Sequence, residues 1–496
     1  MNIALLLEMA AQGAEDRVAL RWDGGSLTYA ALQDRARRAA TWALAQPGDK
    51  VVYLGPNHPA FPIALFGAAN AAKPFVPVNY RLKDEDLRRI LARTAPSVLV
   101  ADDAEMARVQ RIDGVTPVAT SAFMAALDNA EPLEEAVEGE DDIAVLLFTS
   151  GTTGEPKAAI LRHRNLSGYV ISTVEFMGSE AGETSLVSVP PYHIAGVSAV
   201  LTAAYGGRAI AQLPAFDPED WIGLARNAKV THAMVVPTML KRLNQVLEEQ
   251  GGGLPDLRLI SYGGGRMPLA VIEKAMALLP HVDFVNAYGL TETSSTIAML
   301  GPDDHREAFS SGDSLVRRRL ESVGRPLPTL ELDIRDETGN PVPQGEPGEI
   351  WVRGEQVSGE YVGRRTLRDD GWFPTNDAGW MDQDGFLYVQ GRLDDVIVRG
   401  GENIAPGEIE DVLRAHPAVT DAAVFGAPDE EWGEKIVAVL VPRGTPDVAG
   451  LQGWVRERLR STKVPQEIRF ADQLPYNETG KLLRRQLKAE FLAALS

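Results

Sequence analysis

The segment Ile143–Leu161 reads IAVLLFTSGTTGEPKAAIL, a polar loop with two glycines set between two apolar runs. The loop itself is Thr149–Lys157. Its glycines let the backbone turn so that N–H groups point into a concavity, its hydroxyls add donors, and Lys157 adds a positive charge. These groups together predict a cradle for a polyphosphate. The loop is not a Walker loop, because the Gly-x-x-x-x-Gly-Lys-[Ser/Thr] spacing is absent.

Beyond this loop, strand and helix patterns alternate along the chain. One helix is predicted to begin at Asp217, a good N-cap with Pro218 at the first helical position, and another is predicted to begin at Pro268. Alternation of this kind favours an α/β fold in which a mostly parallel sheet is covered by helices. The predicted strands are Leu186–Val189, Ala209–Leu213, Val230–Val236, Leu257–Tyr262 and Val282–Tyr288.

Two glycine-containing segments follow neighbouring strands of this predicted sheet. Gly263-Gly264-Gly265 comes after one strand, and Tyr288-Gly289-Leu290-Thr291-Glu292 comes at the end of the next. In open α/β sheets, ligands bind at the carboxyl ends of the strands. We therefore expect both segments to line a binding site together.

The C-terminal part of the chain has a different pattern. After about residue 320 the sequence changes to short strands and turns, and past Asp394 it predicts a compact α+β unit ending in a basic helix after Lys481. We place the boundary at Gly391–Asp395. The prediction is a large N-terminal domain of sheets layered with helices, residues 1–393, and a small mobile α+β domain, residues 394–496.

Composition excludes several classes of function. The 496 residues carry a net charge of −20, which repels phosphate backbones and argues against a nucleic-acid partner. The absence of cysteine excludes disulfides, thiolate nucleophiles and Cys metal sites. The apolar run Ile3–Leu7 is not a signal peptide, and the longest uncharged stretch, Ser185–Gly207, is too interrupted to span a membrane. We expect a cytoplasmic enzyme.

The Thr149–Lys157 loop resembles the phosphate loop of the adenylate-forming superfamily, which includes acyl- and aryl-CoA synthetases, peptide-synthetase adenylation domains and beetle luciferases. The resemblance extends over essentially the whole chain, with further motifs in the family's order. These motifs are Pro190-Pro191-Tyr192-His193-Ile194-Ala195-Gly196, Asn286-Ala287-Tyr288-Gly289-Leu290-Thr291-Glu292, Thr375-Asn376-Asp377, Gly391-Arg392-Leu393-Asp394-Asp395, Gly400-Gly401-Glu402-Asn403-Ile404 through Glu408-Ile409-Glu410, and Pro475-Tyr476-Asn477-Glu478-Thr479-Gly480-Lys481.

This resemblance implies a two-step reaction with ATP, Mg²⁺ and coenzyme A. A carboxylate attacks the α-phosphate of ATP, pyrophosphate leaves, and a thiol then displaces AMP from the acyl-adenylate. Glu292 would hold Mg²⁺, a hard cation that prefers carboxylate and phosphate oxygens, and Thr291 would bond the α-phosphate. The phosphate-loop residues implied are Thr149, Ser150, Gly151, Thr152, Thr153, Gly154 and Lys157.

The resemblance also implies which residues would bind the nucleoside part of ATP. Tyr288, within the Asn286–Gly289 motif, would stack on adenine, with Gly263, Gly264 and Gly265 leaving room for the base to lie flat. Asp377, which only accepts hydrogen bonds when ionised, suits the two ribose hydroxyls. Arg392 would help to hold the ribose and a phosphate. These residues and the phosphate loop form the implied nucleotide site.

The remaining implied residues act on the acyl group and the thiol. Lys481 is a mobile point charge for the α-phosphate and the carboxylate, where negative charge concentrates during transfer. His193 would gate the acyl pocket from the ATP side, although a structural His bonded to the backbone is the alternative. Gly400 and Gly401 would line a pantetheine tunnel, with a tight turn as the alternative. The small domain would swing about Asp394 between the two steps.

The substrate is expected to be a bulky monocarboxylate that is aromatic, alicyclic or medium-chain. Small residues near the expected pocket, namely Gly196, Ala199 and the three glycines from Gly263, suggest space for it. Two residues depart from the family pattern: Ala158 replaces a common Gly, and Arg266 stands where many relatives have a small or apolar residue. No basic residue near the expected pocket clearly matches a second carboxylate, and Arg266 is the one candidate.

Three functions stay open at this point. The first is a stand-alone acyl-CoA ligase. The second is an adenylating enzyme that loads a separate phosphopantetheinyl carrier protein or donates the free adenylate. The third is a nucleotide-binding regulatory protein without turnover, which the presence of Lys481 and Glu292 disfavours. A carboxylic acid, an acyl carrier protein and a second copy of the chain, as a homodimer, are the candidate partners.

Overall fold

The fold comes from a computed structural model that describes residues 1–137, 142–149, 156–251, 253–399, 402–429, 431–476 and 482–494. Its helices are α1 Ala4–Gly13, α2 Tyr29–Ala45, α3 Ala60–Asn70, α4 Asp84–Ala92, α5 Thr120–Leu127, α6 His163–Thr173, α7 Ile194–Gly206, α8 Pro218–Asn227, α9 Pro237–Gln250, α10 Leu269–Leu278, α11 Pro302–Ser310, α12 Ser314–Arg317, α13 Pro406–Arg414, α14 Val448–Arg456 and α15 Arg484–Ala493.

The strands fall into two groups along the chain. Up to residue 300 they are β1 Val18–Trp22, β2 Gly25–Thr28, β3 Lys50–Leu54, β4 Phe75–Val78, β5 Ser97–Ala101, β6 Val115–Ala119, β7 Ile143–Thr149, β8 Lys157–Arg162, β9 Thr184–Val187, β10 Ala209–Gln212, β11 His232–Val235, β12 Leu259–Gly263, β13 Asp283–Leu290 and β14 Ser295–Leu300. After it they are β15 Arg325–Pro326, β16 Glu331–Arg335, β17 Gly348–Arg353, β18 Glu360–Tyr361, β19 Arg364–Arg365, β20 Phe373–Met381, β21 Leu387–Arg392, β22 Ile397–Arg399, β23 Glu402–Ile404, β24 Val419–Asp429, β25 Gly433–Pro442 and β26 Glu467–Phe470.

Two large sheets form the bulk of the molecule, and both are mostly parallel. A nine-stranded sheet has the order β15-β14-β13-β12-β11-β9-β10-β1-β2, and an eight-stranded sheet has the order β19-β18-β8-β7-β4-β3-β5-β6. Their central strands pair in parallel, and their antiparallel strands lie towards the edges. The predicted α/β fold of layered sheets and helices is confirmed.

The largest apolar core lies between these two sheets. It contains side chains of β1 and β10 from one sheet, side chains of β3, β4 and β7 from the other, and the buried faces of α1, α2, α3 and α7. These helices pack between the two sheets. Because α3 is enclosed in this way, all eleven of its residues are buried, as expected for a helix that is apolar all round.

Local sequence signals account for several element ends. Helix α8 begins as predicted, since the Asp217 carboxylate accepts hydrogen bonds from the N–H groups of Glu219 at 2.9 Å and Asp220 at 3.3 Å. The second predicted helix is α10, with Pro268 at its N-cap. The five predicted central strands correspond to β9–β13, with ends that differ by a few residues. Helix α15 is the predicted basic C-terminal helix.

Two smaller sheets follow. Strands β16-β17-β20-β21 form a four-stranded sheet, and β22 to β26 form a five-stranded sheet with its own apolar cores under α13, α14 and α15. The predicted boundary falls at the end of β21 and in the 3₁₀ turn Leu393–Asp395. The division at residues 393 and 394 stays a prediction.

Among the described residues, every helix is too short or too polar to cross a bilayer. The cytoplasmic location stays a prediction.

Candidate active site

The phosphate loop is predicted at the turn end of a β-hairpin, and the structure describes both strands of that hairpin. Strands β7 and β8 pair antiparallel with Thr149 opposite Lys157, and the Thr149 hydroxyl donates to the Lys157 carbonyl oxygen at 3.4 Å. Ser150, Gly151, Thr152, Thr153 and Gly154 lie outside the described residues. Thr149 and Lys157 are therefore held at neighbouring strand ends, where the predicted cradle would begin and end.

The next wall of the site is formed where β12 and β13 end side by side. The two strands are parallel with Gly263 opposite Ala287, and an added Cβ at Gly263 would overlap the Ala287 carbonyl oxygen. Gly264 follows with φ +78°, a left-handed conformation that favours glycine. Gly264 and Gly265 are exposed, and added Cβ atoms there would find only ordinary contacts at 3.6 Å or more. These two exposed glycines place no side chain at this edge of the sheet.

The Asn286–Gly289 motif is shaped by a bulge between β13 and β14. The pairing shifts between Tyr288 and Gly289, and an added Cβ at Gly289 would overlap the Ser295 carbonyl oxygen. Asn286 is buried, and its side-chain amide donates to the Ser322 carbonyl oxygen at 3.0 Å. Both residues thus hold the shape of the strand end. Tyr288 and Glu292 both lie close enough to Arg392 to raise its pKa.

Tyr288, Asp377 and Arg392 form one hydrogen-bonded cluster. The Tyr288 hydroxyl donates to Oδ2 of Asp377 at 2.6 Å, and Nη1 of Arg392 lies 3.1 Å from Oδ1 of the same carboxylate. Asp377 and Arg392 are opposite each other on β20 and β21. The sequence placed these three residues at one nucleoside site, and the structure brings them into direct contact.

The protonation states of this cluster follow from its burial. Burial raises the pKa of the Tyr288 phenol well above its ordinary value, and the Asp377 charge raises it further. Burial alone would lower the pKa of Arg392, but the Asp377 carboxylate outweighs it, so the net direction is upward. Tyr288 therefore stays protonated, and Arg392 stays charged, at neutral pH. An ionised carboxylate offers about four lone-pair sites, so Asp377 retains acceptors for two ribose hydroxyls.

Glu292 lies directly after β13, in the 3₁₀ turn Thr291–Thr293. The Tyr361 hydroxyl donates to Oε1 of its carboxylate. Within the part of the chain that the structure describes, no group of three or more His, Cys, Asp or Glu side chains could form a protein-only metal site. A single carboxylate with spare lone pairs fits Mg²⁺, which is usually bound through one or two carboxylates together with substrate phosphates.

His193 is the N-cap residue of α7, at the turn made by Pro190 and Pro191. Its ring lies 4.6 Å from the Tyr192 ring, tilted by 51°, and its backbone N–H donates to the Pro190 carbonyl oxygen at 3.2 Å. The residue is partly exposed, but the Nε2 atom of its ring is buried. This position at the start of α7 is compatible with a gate, and the gating role stays a prediction.

At two positions near the expected acyl pocket, the structure explains the presence of glycine by close backbone packing. An added Cβ at Gly196 would lie 2.5 Å from the Pro190 carbonyl oxygen, and the Gly263 position is closed by the Ala287 backbone. Glycine is needed at both places because two backbone segments approach closely. The reasoning that all these small residues provide room for the acyl group was therefore wrong for Gly196 and Gly263.

Arg266 points to the small domain. Its guanidinium pairs with Asp411 of α13, and an added Cβ at Gly407 of the same helix would lie 2.6 Å from its Nη1 atom. Burial raises the pKa of the Asp411 carboxyl above its ordinary value, although Arg266 and Arg414 oppose the shift. In this structure Arg266 is thus engaged by a carboxylate of the protein. Its suggested role as a partner for a second substrate carboxylate has no support here.

Of the small-domain residues that the sequence analysis singled out, the structure describes Asp394 and the neighbours of the others. Gly400, Gly401 and Lys481 lie outside the described residues. Arg399 and Glu402 are paired on β22 and β23, and Tyr476 and Leu482 form an isolated β-bridge. Asp394 is exposed in the 3₁₀ turn, with its carboxylate 3.8 Å from Nη2 of Arg485 on α15.

The sequence analysis missed Tyr361. Tyr361 is 69 residues from Glu292 and belongs to β18, whose two residues pair with β8. Nothing in its spacing marks it, because the contact depends on how β18 is placed against β8 in the folded chain. No motif of the sequence analysis includes Tyr361, and it lies in the part of the chain that was predicted only as short strands and turns.

The comparisons with known proteins agree with this geometry. The sequence model described as "AMP-binding enzyme" matches residues 7–362, and the one described as "AMP-binding enzyme C-terminal domain" matches residues 408–481. A feruloyl-CoA synthase of Amycolatopsis sp is 35% identical over 95% of this chain and 96% of that protein.

Two further similarities cover nearly the whole chain. A fatty acid–[acyl-carrier-protein] ligase, ScoC, of Streptomyces coeruleorubidus is 33% identical over 95% of this chain and 92% of that protein. The solved structure of o-succinylbenzoate CoA synthetase from Bacillus subtilis, in complex with its acyl-adenylate intermediate, superimposes with a TM-score of 0.85 at 31% identity over 97% of each chain.

Proposed function

The chain belongs to the AMP-binding enzyme family, and we propose that it is an AMP-forming acid–thiol ligase that converts a bulky carboxylic acid into its CoA thioester. One observation carries the proposal. A chain of direct contacts runs from Arg392 and Asp377 through Tyr288 on β13, and from Glu292 after β13 through Tyr361 to strand β8. These contacts connect the residues proposed for the ribose, the carboxylate proposed for Mg²⁺ and the hairpin proposed for the phosphates. The ribose and phosphates of ATP follow each other in the same order.

The proposed first step is attack of a carboxylate oxygen on the α-phosphorus of ATP. The bond from that phosphorus to the bridging oxygen of pyrophosphate breaks, and acyl-AMP and pyrophosphate form. Asp377, Arg392 and Tyr288 would fix the nucleoside, Thr149 and Lys157 would contact the phosphates, and Thr291 would bond the α-phosphate. This positioning lowers the barrier because phosphoryl transfer depends mainly on alignment and charge stabilisation.

Glu292 would hold Mg²⁺ against the phosphates. The cation would neutralise charge on the phosphate oxygens. In the second step the CoA sulfur attacks the acyl carbonyl carbon, the carbon–oxygen bond to AMP breaks, and the thiol proton leaves to solvent. Gly400 and Gly401 would admit the pantetheine arm, and His193 would separate the acyl pocket from the nucleotide.

We further propose that the small domain turns about Asp394 between the two steps. Lys481 and the Gly400–Gly401 segment belong to the same small domain and serve different steps, so one orientation cannot serve both. Asp394 is exposed, whereas its neighbour Asp395 is fixed by Arg484 at 2.9 Å. The Arg266–Asp411 pair joins the two domains in the orientation seen here, and it would have to break when the small domain turns.

The acid is proposed to be aromatic. Support comes from the similarity to a feruloyl-CoA synthase and from the exposed Gly264 and Gly265, which place no side chain at this edge of the sheet. Arg266 faces Asp411 in this orientation, so we propose a monocarboxylate.

The test is incubation of the full chain with ATP, Mg²⁺, CoA and one carboxylic acid at a time. The acids to be compared are hydroxycinnamates, phenylacetates, medium-chain fatty acids, a dicarboxylate and acetate. We expect AMP, pyrophosphate and a CoA thioester in equal amounts, with the highest kcat/KM for an aromatic monocarboxylate. A clear preference for acetate or the dicarboxylate would contradict the substrate class. A lack of thioester with every acid would contradict the ligase assignment.

A second candidate is the loading of a carrier protein, because an acyl-carrier-protein ligase is 33% identical over nearly the whole chain. In this case the chain would form AMP with the acid but would leave CoA unused. Addition of a phosphopantetheinylated carrier protein would restore thioester formation. Measuring both thiols in the same assay separates the two functions.

The association of two copies of the chain into a homodimer stays a prediction.

A further inference from the structure

A short segment joins the phosphate hairpin to the proposed metal ligand, and we call residues 356–362 the bracket segment. The backbone N–H groups of Ser358 and Gly359 donate to the Glu292 carbonyl oxygen at 2.8 and 3.2 Å. The side-chain amide of Gln356 donates to the carbonyl oxygens of Thr293 at 3.0 Å and Thr296 at 2.7 Å. The bracket segment thus fixes the backbone on which Glu292 lies.

The other side of the bracket segment is attached to β8. Tyr361 is opposite Ala159 in the antiparallel pairing of β18 with β8, and Val362 donates its N–H to the Ala158 carbonyl oxygen at 2.9 Å. The Ser358 hydroxyl donates to the Ile160 carbonyl oxygen. Strand β8 begins at Lys157, at the end of the phosphate loop. The bracket segment therefore sets the position of Glu292 relative to that loop.

One side chain of the bracket segment reaches the carboxylate itself. The Tyr361 hydroxyl donates to Oε1 of Glu292, while the Tyr361 backbone is held by β8. A carboxylate on a flexible two-carbon stem has several rotamers, and a hydrogen bond from a fixed donor selects among them. Partners of this kind orient metal ligands, and their loss typically weakens metal binding by about 10–100-fold.

We infer that Tyr361 is a positioning residue that orients the Glu292 carboxylate for the metal–nucleotide complex, an inference that rests on the proposed function. It assigns to the phenol no contact with ATP and no part in proton transfer. The role is separate from the hydrogen bonds that hold the backbone around Glu292, since those are made by Gln356, Ser358 and Gly359. Removing only the phenolic hydroxyl therefore tests it without disturbing the segment.

The test measures metal binding without turnover. The probe is Mn²⁺, titrated by electron paramagnetic resonance into the full chain with an ATP analogue that has a methylene bridge between the α- and β-phosphates. We expect Tyr361→Phe to weaken Mn²⁺ binding in this complex by about 10–100-fold while AMP binding without metal stays unchanged. Glu292→Gln should weaken Mn²⁺ binding at least as much, and the double variant should match Glu292→Gln.

Tyr388→Phe is the matched control. The Tyr388 hydroxyl also meets a carboxylate, Oδ2 of Asp382 at 3.4 Å, but near the start of β21, whereas Arg392 lies at the other end of that strand. It should leave the Mn²⁺ constant unchanged. An unchanged Mn²⁺ constant in Tyr361→Phe, or an equal loss of AMP binding, overturns the positioning role. Because this readout needs no acid and no CoA, the result stands whether or not the chain forms a thioester.

Discussion

Replacing Lys481 with alanine is expected to abolish adenylate formation while thioester formation from supplied acyl-AMP continues. The lysine is proposed to stabilise the charge that concentrates between the α-phosphate and the carboxylate as the first bond forms. Removal of one preorganised donor of this kind typically costs about 10²–10³ in kcat, or about 2.7–4 kcal/mol. In the second step the electron pair of the broken carbon–oxygen bond stays on the AMP phosphate, but the small domain is proposed to have turned by then, so that Lys481 no longer lies at that phosphate. The two half-reactions should therefore be affected very differently.

The measurement is pyrophosphate exchange into ATP for the first step and consumption of CoA by synthetic acyl-AMP for the second. Lys488→Ala is the matched control, since Lys488 lies on α15 and pairs with Glu434 at 3.2 Å. It should leave both steps near the wild-type rate. Equal loss of both steps in Lys481→Ala would falsify the assignment of this lysine to adenylate formation.

The second large effect is expected from proline at position 394. Asp394 lies in the 3₁₀ turn Leu393–Asp395, between β21 and the five-stranded sheet. Proline fixes φ near −65°, a value that suits a 3₁₀ turn, and removes the backbone N–H. If the small domain turns here, Asp394→Pro should hold one orientation. We expect adenylate formation to continue and thioester formation to slow on the order of 10²-fold or more, since misplaced groups at a reacting centre carry costs of this size.

Asp394→Ala separates the backbone effect from loss of the side chain. It removes the exposed pair with Arg485 but leaves φ free to change. Both half-reactions should therefore stay close to wild type in this control. Transient-state measurement of each step in the two variants decides the matter. Uniform slowing of both steps by proline, or no slowing, would mean that Asp394 is an ordinary turn residue.

Much of the fold could be predicted from local patterns. Apolar runs separated by helical periodicity predicted β9–β13 and the helices between them, and the N-cap at Asp217 set the start of α8. These signals are local because strand period, helix period and capping involve residues close in sequence. The nucleoside cluster was also predicted, since Tyr288, Asp377 and Arg392 each lie in a recognisable motif.

Other features depend on contacts that no local pattern contains. The Tyr361–Glu292 bond joins residues far apart in the chain, and it follows from the pairing of β18 with β8. Gly196 and Gly263 were interpreted as space for a substrate, but backbone atoms of Pro190 and Ala287 occupy the positions that side chains would need. A small residue in a sequence cannot distinguish an open pocket from a close backbone approach.

Arg266 illustrates the same limit for charge. Its position after the three glycines made it the one candidate for meeting a second substrate carboxylate. The structure pairs it with Asp411 of α13 instead. The role of a charged residue near a site depends on the group with which it pairs. Here that group is the Asp411 carboxylate, which belongs to the other domain. The pairing therefore depends on how the two domains are oriented.

The most direct test of the account follows the oxygen atoms of the acid. The proposed mechanism has a carboxylate oxygen attack the α-phosphorus, and the same oxygen leaves with AMP when the thiol attacks the carbonyl carbon. With a substrate acid labelled with ¹⁸O on both carboxylate oxygens, mass spectrometry should find one ¹⁸O in each AMP and none in pyrophosphate. Unlabelled AMP, or ¹⁸O in inorganic phosphate with ADP as the nucleotide product, would contradict the adenylate mechanism.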